Sequence, residues 1–207
     1  MSGDSSVVVS LAPEDAARAD FYALLSRLYI AAPDAALLQT LAAADAIDAE
    51  SEQGAELVQA WQRLVLASGA MDAAAAEDEY QSLFVGVGKS EVSLYASAYA
   101  KTASGNTLAD VREAISGLGL GRKTGSNLYE DHLAAILETM RMLISPPAGT
   151  EGFAFATQQE FFETHVCTWV FACCGAIQRC PIANYYRRVA EFTEKFMAIE
   201  RDSFAVA

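Results

Sequence analysis

The feature that most constrains this chain is a helical spacing of apolar residues that recurs from one end to the other. Phe21, Leu24, Leu25 and Leu28 fall on one face of a helix, and Leu57, Trp61, Leu64 and Val65 repeat the pattern. So do Leu108, Val111, Ile115 and Leu118, then Leu133, Ile136, Leu137, Met140 and Leu143, and finally Tyr185, Val189, Phe192, Phe196 and Ile199. Such stripes bury themselves only by packing on one another. No convincing period-two alternation competes with them, since Ser6–Ser10 is too short and too near the end. The expected fold is an all-α bundle of roughly eight or nine helices. Pro13, followed by Glu14 and Asp15, marks the start of the first helix, where a missing N–H is harmless and acidic side chains favour the positive end of the helix dipole.

The breaks between stripes suggest an organisation. Gly117, Gly119, Gly121 and Gly125, mixed with Arg122, Lys123, Ser126 and Asn127, separate two strongly periodic stretches, and Ser145-Pro146-Pro147 marks a second break. We expect a disordered N-terminus over 1–12, an N-terminal helical lobe over 13–118, a hinge over 119–130 and a C-terminal lobe over 131–207. Two ordinary loops in a single packed domain would look the same. The glycines resemble a phosphate-binding loop only superficially. No strand precedes them and the Gly-Lys-Ser/Thr ending is missing, so a helix C-cap followed by a linker accounts for them better.

Charge narrows the partners. The 207 residues carry a formal charge of −13, and residues 1–100 hold 15 of the 27 acidic side chains but only 4 of the 14 basic ones. Nucleic acid is excluded as a partner, because a phosphate backbone requires clustered Lys and Arg. A cationic partner fits, and so does charge used only for solubility. The N-terminus has no basic residues ahead of its apolar run, so it does not read as a secretory signal. The apolar stretch from Val166 to Ile177 falls short of the roughly 20 residues that a membrane helix needs. We expect no membrane insertion and a cytoplasmic location.

Cys167, Cys173, Cys174 and Cys180 invite a metal reading that helical spacing opposes. Residues seven apart share a face but lie about 10 Å apart along the axis. Four such sulfurs cannot close on one zinc with Zn–S bonds of about 2.3 Å, nor pair within the roughly 7 Å a disulfide allows. Reduced, apolar packing residues are the expectation. Asp131 and His132 adjoin, yet nothing nearby supplies a nucleophile or metal for acid–base chemistry. Read alone, Asp131 would cap the helix led by Leu133.

Three segments carry a resemblance. They are Glu79-Tyr80-Gln81-Ser82-Leu83-Phe84-Val85-Gly86, then Leu94-Tyr95-Ala96-Ser97-Ala98-Tyr99, then Tyr129-Glu130-Asp131-His132 followed by Leu133, Leu137 and Glu138. Together they resemble the TorD/DmsD/NarJ family of redox-enzyme maturation chaperones, with weaker similarity from about residue 18 to residue 200. Tyr129 stands where that family usually has proline, and Ala96 at a position often polar or glycine.

The resemblance implies a non-catalytic, system-specific chaperone. Its partner would be the apo catalytic subunit of a molybdopterin-dependent oxidoreductase, bound through its twin-arginine leader until the cofactor is inserted, with export delayed meanwhile. It implies no resident cofactor, a guanine nucleotide or transient contact with the molybdopterin group being the alternative. Glu130, Asp131 and His132 would meet the leader, the carboxylates pairing with its arginines. Tyr80, Leu83, Phe84, Tyr95, Ser97 and Tyr99 would complete the peptide-binding surface, their apolar and aromatic side chains forming its wall. Each aromatic taken singly reads more readily as core, and only the group argues for a binding wall. A client without a twin-arginine leader is the alternative partner. The protein would act as a monomer or as a dimer that exchanges lobes.

Overall fold

The computed structural model describes residues 11–206 apart from 49–50, 87, 101–103, 122–127, 148–149 and 151. Among the described residues there are nine α-helices and no strand, the all-α bundle that periodicity predicts. They are α1 (Pro13–Ile30), α2 (Ala35–Ala42), α3 (Glu52–Ala70), α4 (Ala73–Tyr80), α5 (Thr107–Gly117), α6 (Leu133–Ile144), α7 (Phe155–Phe161), α8 (Val170–Arg179) and α9 (Tyr185–Val206). Most of the expected N-terminal tail and the centre of the expected hinge, residues 1–10 and 122–127, lie outside the described residues.

Local chemistry sets most helix ends. Pro13 opens α1 with Glu14 and Asp15 in its first turn and Arg27 in its last. Side chains of Asp34, Ser51, Asp72 and Asn106 accept backbone N–H groups at the starts of α2, α3, α4 and α5. The glycine-rich stretch ends α5 in a Schellman motif. Leu120 N–H bonds Ile115 O and Gly119 N–H bonds Ser116 O, with Gly119 at φ +71°. The C-cap reading of those glycines thus describes Gly119.

α1 packs along α6, while α3 and α8 both pack on α9, and α2 covers α3. Tyr22, Leu25, Leu28 and Tyr29 on α1 and Leu133, Ile136, Leu137 and Met140 on α6 are fully buried. Ser26 Oγ donates to Ala134 O across the same contact at 2.8 Å. Phe21, Trp61, Phe192 and Phe196 tie α1, α3 and α9 together, with ring centroids 5.2–5.8 Å apart. Helices from both sides of residues 119–130 therefore share one hydrophobic core.

A charged clamp closes the α1–α9 contact. Arg18 donates to both carboxylate oxygens of buried Glu200, at 2.7 and 2.9 Å, and Tyr22 Oη donates to the same carboxylate at 3.0 Å. Burial alone would lower the Arg18 pKa, but Glu200 and Asp15 together outweigh it and hold the guanidinium firmly charged. The cysteines are free thiols, as expected, with Cys173, Cys174 and Cys180 buried in the core and Cys167 half-buried. Burial pushes the Cys173 thiol up to about 12, so it packs as a neutral, apolar group.

Candidate functional site

The three motif segments fold onto one another. α4 runs directly into a π-helical turn, Gln81–Val85, a widened turn that occurs mostly as a local bulge. Gly86 N–H closes it on Gln81 O at 2.7 Å. Gly86 sits at φ +65°, and a Cβ there would lie 2.3 Å from Lys89 O, so only glycine fits. The chain then doubles back, and Val92 N–H bonds Leu83 O at 2.9 Å. Next, Leu94 O accepts from Leu133 N–H and Ala96 N–H donates to Asp131 O, which pairs Tyr95 with His132 in an isolated antiparallel bridge.

Sequence expectations for the site residues resolve individually. Tyr80 is buried, its hydroxyl donating to the carbonyls of Tyr29 and Ile30 at 3.2 and 3.0 Å, so it caps the C-terminal end of α1. Burial pushes its pKa up to about 12. Leu83 is fully buried, whereas Phe84 is half-buried with its ring edge-on to Tyr186 at 4.9 Å. Tyr99 stacks on Trp169 at 6.0 Å and donates to Ser93 O at 2.8 Å. Ser97 is exposed, and its backbone N–H donates to Asp131 Oδ2 at 3.2 Å.

Asp131 and His132 divide the work differently from the expectation that Asp131 caps the following helix. Asp131, 2% exposed, turns its carboxylate back to the 96–98 turn, because the Tyr95–His132 bridge brings Ser97 N–H within reach. His132, 4% exposed, caps α6 instead, its Nδ1 accepting from Ala134 N–H at 3.1 Å. The acceptor nitrogen must be unprotonated. Burial lowers the His132 pKa to about 4 against the opposing pull of Asp131, so the imidazole is neutral near pH 7.

The surface above this knot is aromatic and borders the largely covered carboxylate of Glu130. Tyr95, half-buried, stands edge-on to His132 at 4.9 Å and lies 6.4 Å from Tyr129, which is 54% exposed. Glu130 is paired with Arg112 of α5 at 3.0 Å. The two carboxylates are therefore not presented side by side: Asp131 faces inward, and Glu130 faces Arg112. Tyr95, Ser97, Tyr129, Glu130, Asp131 and His132 are brought together. Tyr80, Leu83 and Phe84 reach that group through the Leu83–Val92 bond, and Tyr99 packs towards α8.

Two residues with defined positions here went unassigned in the sequence. Glu79, inside the first motif, accepts N–H bonds from Asn184, Tyr185 and Tyr186 at 2.8–3.0 Å and caps α9 from a different helix. Arg112 reads as an ordinary polar position on α5. Neither carries a local signal, since each partner is remote in sequence.

The segments that form this surface lie within residues 44–175, which match the family model described as nitrate reductase delta subunit. The chain belongs to the nitrate reductase delta subunit family. Proteins of the nitrate reductase delta subunit family are chaperones of molybdoenzyme maturation and are not enzymes. No curated protein matches the chain. A chaperone role agrees with Asp131 and His132 being spent on backbone hydrogen bonds rather than aimed at a reacting centre. No helix among the described residues is long and apolar enough to cross a membrane.

Proposed function

We propose that the protein is a cytoplasmic, system-specific chaperone for the apo catalytic subunit of a molybdopterin-dependent oxidoreductase, which it binds through a cationic, twin-arginine leader. The family's name points to a client of the nitrate reductase type. The observation that carries the proposal is the convergence of the motif segments on a surface where Tyr95 and exposed Tyr129 adjoin Glu130. Aromatic faces and a carboxylate are the groups that take up guanidinium by stacking and by charge-assisted hydrogen bonds. The −13 charge would speed the approach of such a peptide. Holding the client is a matter of mass action: binding its unfinished form lowers the free concentration available for aggregation or premature export. The protein brings no cofactor of its own in this scheme and acts as a monomer or a lobe-exchanged dimer.

The test is calorimetric titration with a synthetic twin-arginine leader, the same peptide with both arginines changed to glutamine, and Tyr129→Ala protein. Tyr129 is exposed, so its removal should leave the fold intact. Micromolar or tighter binding is expected, weakened at least about fivefold by either change, the loss of roughly 1 kcal/mol that a stacked cation contributes. Folded protein that ignores the leader would overturn the proposal.

A second reading has its own support. Both carboxylates already have partners within the chain, Asp131 the Ser97 N–H and Glu130 the Arg112 guanidinium. A client that docks an apolar segment without paired arginines would not need to displace either. That reading expects equal binding of the glutamine peptide and of the arginine peptide.

A further inference from the structure

Arg112 is a surface arginine beside the candidate site. It projects from α5, a helix tied to the 96–100 turn by the bond from Thr107 Oγ1 to Ala100 O at 3.2 Å. Its Nη2 donates to Glu130 Oε2 at 3.0 Å. The Arg112 side chain is 52% exposed and that of Glu130 only 14%. The arginine thus lies on the solvent side of a largely covered carboxylate, as a lid would. Its charge is felt mainly by Glu130, but also by Asp131 and Tyr129, which all favour its protonated form. The guanidinium therefore already occupies the carboxylate that a client arginine would seek.

Pairs whose cation is open to solvent, as Arg112 is here, contribute little to folding. Their weakness makes exchange feasible: a second guanidinium offers Glu130 the same planar donor fork. We infer that Arg112 is a built-in competitor, an internal arginine that occupies Glu130 until an arginine of the client displaces it. Resting on the reading that a cationic leader binds at this surface, the inference adds how that site is regulated. The competitor raises the threshold for binding, so that stray single cations are excluded and a ligand that also engages Tyr129 and Tyr95 succeeds.

The consequence is quantitative. When only the fraction with Arg112 released is competent, the apparent Kd is divided by that fraction, and an ion pair with a solvent-exposed arginine sets the penalty at about two- to sixfold. Titration of the twin-arginine leader peptide would compare wild type, Arg112→Gln, Glu130→Gln and the double variant. Arg63→Gln serves as a control, since it makes the same charge change at an exposed arginine paired with Glu191 on α9, away from this surface. Arg112→Gln is expected to bind about two- to sixfold tighter and Arg63→Gln to match wild type. The gain from Arg112→Gln should vanish when Glu130→Gln is also present. If the leader binds but Arg112→Gln is no tighter than wild type, or if its gain persists without the Glu130 carboxylate, the competitor inference falls and leader binding stands. If no folded variant binds the leader, the leader reading itself falls and takes the inference with it.

Discussion

Glu79 offers the sharpest test of how this surface is held in place. Its two carboxylate oxygens accept three consecutive backbone N–H groups: Asn184 and Tyr186 bond Oε1 at 2.8 and 2.9 Å, and Tyr185 bonds Oε2 at 3.0 Å. These are donors at the start of α9, with no carbonyl of that helix available to them. Glu79→Ala strands all three. Tyr185 and Tyr186 are buried, so each lost bond there costs about 1–1.5 kcal/mol, while the Asn184 donor is exposed and water replaces much of its partner. The total is about 3 kcal/mol. Glu79→Gln keeps an oxygen for the Asn184 and Tyr186 bonds, but sets an amide donor against Tyr185 N–H and removes the charge facing the helix dipole, for a loss of about 1.5 kcal/mol. For a chain of this length these losses lower Tm by about 6–12 °C and 3–6 °C. Urea unfolding followed by circular dichroism would measure them. Glu77→Ala, which changes the same charge two residues earlier at an exposed position whose side chain bonds Gln81, should stay within about 0.5 kcal/mol of wild type. A loss below about 1 kcal/mol for Glu79→Ala, or one no larger than that of Glu77→Ala, would refute the remote-cap argument.

Two more predictions concern the same region. Gly86→Ala should cost about 2 kcal/mol or more, because it forces a Cβ into Lys89 O and a side chain into positive φ; unchanged thermal unfolding would show that the loop after the π-turn relaxes freely. His132 predicts a pH dependence. Its folded pKa, near 4, lies below the roughly 6.5 of an unfolded histidine, so between those values the unfolded chain binds a proton that the native chain refuses. The native state loses stability as pH falls through that window, by about 2 kcal/mol at pH 5, and is unaffected above it. Burial lowers the pKa of His165 as well, which adds a loss in the same direction. His132→Asn retains an oxygen to cap α6 without a titrating group and should remove the larger part of the slope between pH 6.5 and pH 5. Superimposable pH profiles for the two proteins would sink this account.

Motif residues were legible as a group but not by role. Tyr80, Leu83 and Phe84 stand out in the sequence because they recur in a recognisable pattern, and the structure gives that pattern a physical basis: a tyrosine that caps α1, a leucine in the core and a glycine that alone tolerates the turn. Asp131 reads as the cap of α6 in the sequence, yet His132 caps it, because sequence shows adjacency and not direction. Once Tyr95 and His132 pair, the Asp131 carboxylate points across the bridge rather than along the helix. The pairing of Glu130 with Arg112, 18 positions away, leaves no trace in either local sequence.

The sequence by itself determined the five strongly periodic helices, the end of α5 within its glycine-rich stretch and the apolar character of the cysteines. All of these follow from forces that act within a few residues: the 3.6-residue period of burial, the dihedral freedom of glycine and the reach of a capping side chain. Only the tertiary structure decided that Glu79 caps a helix about 105 positions away, that Tyr95 lies against His132 and that Glu130 is covered by an arginine. Those partners are chosen by how α1, α4, α5 and α9 come to rest around a common core. A polar side chain finds whichever unsatisfied group that packing leaves within about 3 Å, and no local pattern specifies which group that will be.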